Sequence, residues 1–211
     1  MAFPTTSVLF TGSIPNERPL SDSGNFTSGI QIGDGTLQVS LNAIIWDAGN
    51  GQAYWNTPFS GDLECFFDLP LALMNGTGVY TNIWLGIQNP NSANLNGYAI
   101  NITDDATSVW NLYACVNNAF TLLSNPKQAI LSGDSIGLSR VGSLLTMYIK
   151  HSGAWSAVGA INDSRVTGTG YIGLGTIATS STIAITNFGG GSIPATTTQM
   201  APSLLAAGVG A

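Results

Sequence analysis

Residues 97–103 read Gly-Tyr-Ala-Ile-Asn-Ile-Thr, and residues 143–150 read Ser-Leu-Leu-Thr-Met-Tyr-Ile-Lys. Tyr98, Ile100 and Ile102 occupy alternate positions of the first stretch, as Leu145, Met147 and Ile149 do in the second. A period of two belongs to a strand with one buried face, because successive side chains leave the pleat on opposite sides. Similar runs, bounded by Gly, Asn, Asp or Ser, fill the chain outward from these two. They include LQVSLNAIIW from residue 37, DLECFFDL from 62, VYTNIWLGI from 79, SVWNLYAC from 108, YIGLGT from 171 and STIAITNF from 181. Ten or more short strands with almost no helical periodicity predict an all-β fold, a two-sheet antiparallel sandwich, with Ile183 joining the core candidates. The one helix-permissive stretch is residues 203–209.

A length of 211 residues suits one such domain. Residues 1–191 read as the sandwich. From residue 189 the composition changes to GGGSIPATTTQMAPSLLAAGVGA, which is uncharged and interrupted by proline, so residues 192–211 read as an extended C-terminal tail. Leu204, Leu205 and Val209 are the side chains with which that tail would hold a neighbour during assembly.

Charged residues make up only 8% of the chain, against about a quarter in an ordinary soluble protein. Ser, Thr, Asn and Gly supply the polarity instead, and a surface of short side chains loses little rotamer entropy on being covered. This favours binding or assembly over catalysis. The net charge is −6, and the five cations Arg18, Lys127, Arg140, Lys150 and Arg165 are scattered, which argues against nucleic acid as a partner. No apolar run approaches the roughly 18 residues of a membrane span. The opening MAFPTTSVLF has no basic stretch before its apolar one, so the expectation is a chain made in the cytoplasm without a secretory signal.

No constellation of catalytic residues stands out. Asp62, Glu64 and Asp68 share one face of DLECFFDL opposite Leu63, Cys65 and Phe67, an imitation of a glycosidase carboxylate pair that reads more simply as a solvated strand face. His151, the single histidine, follows a strand and precedes Ser152-Gly153, which suits an exposed turn and lacks a nucleophile elbow. Asp104-Asp105 with Thr103 has no calcium-loop spacing, and two cysteines with one histidine cannot complete a zinc site. Cys65 and Cys115 read as buried free thiols, with a bridge between them as the alternative, and no cofactor or metal is expected. Aromatic platforms flanked by neutral amides are what sugar recognition needs. Trp46, Asn50, Gln52, Tyr54, Trp55 and Asn56, in WDAGNGQAYWN, are the candidate glycan-binding residues. Trp84 and Trp110 fall inside strands and are assigned to the core.

The second half of the chain resembles the concanavalin A-like lectin and glucanase superfamily, in particular the laminin-G-like jelly rolls of bacteriophage virion proteins. The resemblance follows Gly97-Tyr98-Ala99-Ile100, Trp110-Asn111-Leu112-Tyr113 and Ser132-Gly133-Asp134-Ser135-Ile136-Gly137-Leu138, then Gly170-Tyr171-Ile172-Gly173-Leu174 and the strand returning at Phe188. It covers about residues 9–190 and implies a jelly roll. It further implies a non-enzymatic structural protein of a phage particle, decorating the capsid or forming part of the tail. Its partners would then be other virion proteins and further copies of itself. A carbohydrate-binding module directed at a host-surface glycan is the second reading, and a glycosidase the third. If the alternation is read correctly, Met147→Ala or Ile149→Ala lowers the unfolding free energy by about 2–5 kcal/mol, as measured by urea denaturation.

Overall fold

The computed structural model describes residues 3–10, 25–31, 38–40, 43–46, 49–69, 80–103, 109–178 and 183–195. Fifteen strands and no helix occur among them, so none contains a helix long and apolar enough to cross a membrane. In chain order the strands are β1 (Val8–Phe10), β2 (Phe26–Ser28), β3 (Gln38–Ser40), β4 (Ala43–Trp46), β5 (Gly49–Trp55), β6 (Leu63–Asp68), β7 (Tyr80–Gln88) and β8 (Asn96–Ile102). They continue as β9 (Trp110–Val116), β10 (Ala119–Ser124), β11 (Ser135–Val141), β12 (Leu144–His151), β13 (Ala154–Asn162), β14 (Tyr171–Ala178) and β15 (Ile183–Ser192). One sheet has the order β13-β12-β11-β6-β15-β4-β3, with β1 also on β15; the other runs β10-β9-β8-β7-β14-β5-β2. Every pairing is antiparallel, and the two sheets form the sandwich predicted from alternation.

The inner faces meet in one apolar core. Tyr98, Ile100 and Ile102 from β8, with Leu145, Met147 and Ile149 from β12, are all buried in it, as are Leu63, Cys65 and Phe67 from β6. The side chain of Ile183 lies outside the described residues. Cys65 and Cys115 are both free and buried, one in each sheet.

One end of the sandwich is closed by polar groups. Arg140, on the inner face of β11, is buried and donates to the carbonyls of Val166 (3.0 Å), Gly61 (2.8 Å) and Gly168 (3.1 Å). Beside it the Tyr98 hydroxyl donates to Asp163 Oδ1 at 2.8 Å and accepts from the Val166 N–H at 3.1 Å. Burial pushes Tyr98 up to about 12. Burial would also raise Asp163, but hydrogen bonds from Tyr98 and from the Arg165 backbone and side chain outweigh it and hold the carboxyl below its ordinary value.

Two expectations need correcting. The face bearing Asp62, Glu64 and Asp68 is not solvated, because residues 3–7 lie across it. Glu64 is 1% exposed, and its Oε1 accepts from the Thr5 N–H (2.6 Å), the Thr6 N–H (2.5 Å) and the Thr6 hydroxyl (2.7 Å). Phe3 stacks on Tyr148 at 4.0 Å and meets Trp155 edge-on at 4.7 Å, above Gly137, where a Cβ would come within 2.3 Å of its ring. Asp68 is also engaged, bonded by Ser135 Oγ and by Asn187 Nδ2 at 2.7 Å, with Lys150 3.8 Å away.

The second correction concerns the place where the composition changes: β15 runs through the glycines and takes in Ser192, which was read as the first residue of the tail. Gly189, Gly190, Gly191 and Ser192 belong to β15 and pair with Phe66, Cys65, Glu64 and Leu63, and the Ile193 N–H continues to Asp62 O at 2.8 Å. These glycines are packing residues. Gly190 and Gly191 have φ of +144° and +138°, and a Cβ at Gly190 would lie 2.3 Å from Glu64 O. Leu204, Leu205 and Val209 lie outside the described residues. Since Glu64 satisfies three donors of residues 5 and 6, Glu64→Ala should lower the unfolding free energy by about 3 kcal/mol and expose the 3–7 segment to limited proteolysis.

Candidate functional site

In the β10-β9-β8-β7-β14-β5-β2 sheet, the face away from the core is built by cross-strand register. Gln52 lies opposite Gly175, Gly175 opposite Asn82, Asn82 opposite Asn101 and Asn101 opposite Asn111, which gives a row of amides across five strands. Two residues along, Tyr54, Gly173, Trp84, Ala99 and Tyr113 form a second row containing three aromatics. Residues directly opposite in antiparallel strands share a face and touch, so the two rows are side by side. Gly173 and Gly175 keep the middle of the floor low. A Cβ at Gly175 would fall 2.6 Å from the Gln52 side chain, and one at Gly173 2.8 Å from Ala53 O.

Over these rows is a cavity of about 320 Å³ lined by Gln31, Gln52, Asn82, Trp84, Asn101, Tyr113 and Phe120. Amide and aromatic side chains make up this wall, with no charge among them. Gln52 is 2% exposed and accepts from the Gln31 N–H at 2.9 Å. Phe120, 39% exposed on the edge strand β10, meets Trp84 edge-on at 5.9 Å and Tyr113 at 6.0 Å. Two polar atoms of the lining are buried without a hydrogen-bond partner, the indole Nε1–H of Trp84 and Oδ1 of Asn82. Trp110, by contrast, is buried with its Nε1–H donating to Gln128 O at 3.0 Å.

The six residues picked out in WDAGNGQAYWN do not form one patch. Trp46, in β4, pairs with Ile183 in one sheet, whereas Asn50, in β5, pairs with Ile177 in the other; the side chains of both lie outside the described residues. Gln52 faces outward and lines the cavity, and Tyr54, also outward, packs on Tyr171 at 4.8 Å. Trp55 turns inward against Phe26 at 5.3 Å and against Phe188. Asn56 is exposed beyond the strand, its N–H donating to Asn25 O at 3.0 Å. From the sequence, Asn82, Asn101 and Tyr113 were passed over as site residues, and Trp84 was assigned to the core. For Asn82 and Asn101 the signal was a single amide inside a largely apolar strand, but only the register brings the four together.

His151 ends β12, half exposed, with Nδ1 2.8 Å from Oδ1 of the buried Asp134. Among the described residues no three His, Cys, Asp or Glu side chains gather where an ion could be held, and Asp104 and Asp105 lie outside them.

No protein-family model and no curated protein matches the sequence. Solved structures do match in shape. The carbohydrate binding module CBM66 from Bacillus subtilis superposes with a TM-score of 0.55 at 17% identity, over 80% of this chain and 96% of that one. The potassium-bound carbohydrate recognition domain of Emp46p gives 0.63 at 11% identity, over 88% and 95%. The exoplasmic/lumenal domain of VIP36 in its Ca²⁺/Man3GlcNAc-bound form gives 0.58 at 13% identity, over 83% and 86%. The fold is that of the lectin-like jelly rolls. At these identities the likeness extends to the fold alone.

Cys115 sits on the same outer face as the cavity, buried near Trp84 with its Sγ 3.6 Å from Leu95 O, and burial pushes its thiol up to about 11. Burial, and secondarily the charge of Glu64, also raises Cys65. Both thiols should resist a disulfide reagent at about pH 8 in the native protein and react fully on unfolding, as followed by absorbance.

Proposed function

We propose that the chain is a carbohydrate-binding module without catalytic activity, and that the Trp84 cavity is its sugar site. The observation behind this reading is the pair of orphaned polar atoms, Trp84 Nε1–H and Asn82 Oδ1, in a cavity walled by neutral amides and rings. Leaving a donor and an acceptor unpaired in a protein interior costs roughly 1–3 kcal/mol each, and such groups call for an explanation in a partner not yet present. A hydroxyl both donates and accepts, so one sugar can satisfy an indole N–H and an amide oxygen while its C–H face lies on an aromatic ring. Gln52 and Asn101 extend the amide row on either side of Asn82 for further hydroxyls.

Neither orphaned atom is open to solvent in this conformation. A ligand reaches them by displacing a ring at the rim, and Phe120, exposed and on an edge strand, is the ring placed to swing aside. The lack of charge in the lining favours a neutral sugar over an acidic one. The carbohydrate-binding neighbours in the same fold support the reading, whereas the particle-assembly reading rests on composition and the sequence resemblance alone.

The test is an array of immobilised neutral glycans, followed by calorimetry on those retained. Trp84→Phe keeps a smaller aromatic ring in the outer-face cluster while removing the indole N–H, and should reduce affinity by roughly tenfold. Trp84→Ala should reduce it further. Retention of every bound glycan at unchanged affinity by both variants would place the site elsewhere.

A further inference from the structure

We infer that the site continues from the Trp84 cavity into an adjoining one, so that the ligand is a chain of two or more neutral sugars rather than a single ring. The inference rests on the glycan reading of the first cavity. A second cavity, of about 230 Å³, is lined by Gln31, Asn91, Ser92, Ala93 and Asn118, and Gln31 lines both. The first is at the lower limit of the roughly 300–1,000 Å³ that small-ligand sites span. Anything longer than one ring must leave it, and the space on the far side of Gln31 has polar walls.

Gln31 is tied in both directions. Its N–H donates to Gln52 Oε1 at 2.9 Å, and its side-chain Nε2 donates to Asn118 Oδ1 at 3.3 Å. An amide chain from Gln52 through Gln31 to Asn118 therefore crosses from one cavity to the other. The far rim is held in a fixed shape by its backbone. Asn91 donates from its N–H to Ile30 O (2.7 Å) and from Nδ2 to Gly29 O (3.2 Å), while the Asn118 N–H donates to Leu95 O (2.9 Å) and the Asn117 N–H to Asn96 Oδ1 (2.9 Å). Asn89, Asn91, Asn117 and Asn118 all have φ between +50° and +59°. Among non-glycine residues, asparagine tolerates that region best, and Asn117 and Asn118 adopt it as the two-residue turn between β9 and β10. The second cavity, like the first, presents amides and a hydroxyl without charge, which is the hydrogen-bonding surface a second neutral sugar requires.

The experiment is calorimetric titration of the full chain with neutral gluco-, manno- and galacto-oligosaccharides, each from monosaccharide to tetrasaccharide. Within a series that binds, affinity should rise roughly tenfold between the monosaccharide and the di- or trisaccharide. In Asn118→Gly, which takes a positive φ freely, the ratio of oligosaccharide to monosaccharide affinity should collapse towards one. A wild-type series in which the monosaccharide binds as tightly as the longer members overturns the second subsite and leaves the Trp84 reading standing, whatever the variant does. A length increment that Asn118→Gly leaves intact also overturns it. If no member of any series binds, the parent reading falls and this inference with it.

Discussion

A buried guanidinium with three backbone carbonyls around it fixes one end of this sandwich. Arg140 projects from β11 into the core and gathers Gly61 O, Val166 O and Gly168 O, which come from segments before β6 and before β14. Removing a cation from water costs several kcal/mol unless its donors are met, so the loops are constrained to bring their carbonyls to it. Burial pulls the guanidinium pKa down, and the fields of Tyr98 and Asp62 oppose that pull. Room for the group is made by Gly86, where a Cβ would come within 3.2 Å of Arg140 Nη1. The consequence reaches the candidate site, because β7 and β14 start or end at this junction and carry Asn82, Trp84, Gly173 and Gly175 across the outer face.

How much of this was legible in the sequence depends on the distance over which each feature is determined. Alternation is a local property, and Tyr98, Ile100, Ile102, Leu145, Met147 and Ile149 are all in the core it predicted. The environment of Glu64 is not local. Its partners come from residues 5 and 6, nearly sixty positions away, and nothing in DLECFFDL announces a cover. Gly189, Gly190 and Gly191 show the complementary failure. Composition alone makes them look like a linker, whereas their lack of a Cβ is what allows β15 to lie against Phe66 and Glu64.

The same reasoning explains why the aromatic-rich stretch WDAGNGQAYWN attracted attention and the cavity did not. Adjacent residues in a strand face opposite ways, so Tyr54 and Trp55 could never share a surface, and Trp46 belongs to the other sheet altogether. A surface of a β-sandwich is assembled across strands. Gln52, Asn82, Asn101 and Tyr113 come from four of them and meet only when the pairing is known. Trp84 is buried, as its place inside a strand suggested, but it is buried on the outer side of its sheet, in a cluster with Ile30, Ile87, Leu95, Ala99 and Cys115 that is separate from the main core.

The two outer faces of the sandwich have been put to different uses, and the difference is chemical. On the sheet of β6, β11 and β12, the surface is aromatic and carries the carboxylates of Glu64 and Asp68, and residues 3–7 lie over it with a phenylalanine and three donors to Glu64. A carboxylate accepts only, so it suits a partner rich in donors, such as a backbone. On the sheet of β7, β8 and β14, the polar groups are amides, which donate and accept in equal measure. Two polar atoms of the cavity there remain unpaired. A face with mixed donors and acceptors, a flat glycine floor and a tryptophan held by its own small apolar cluster is matched by a ligand of hydroxyls and C–H faces, which is why the binding chemistry is assigned to this sheet rather than to its partner.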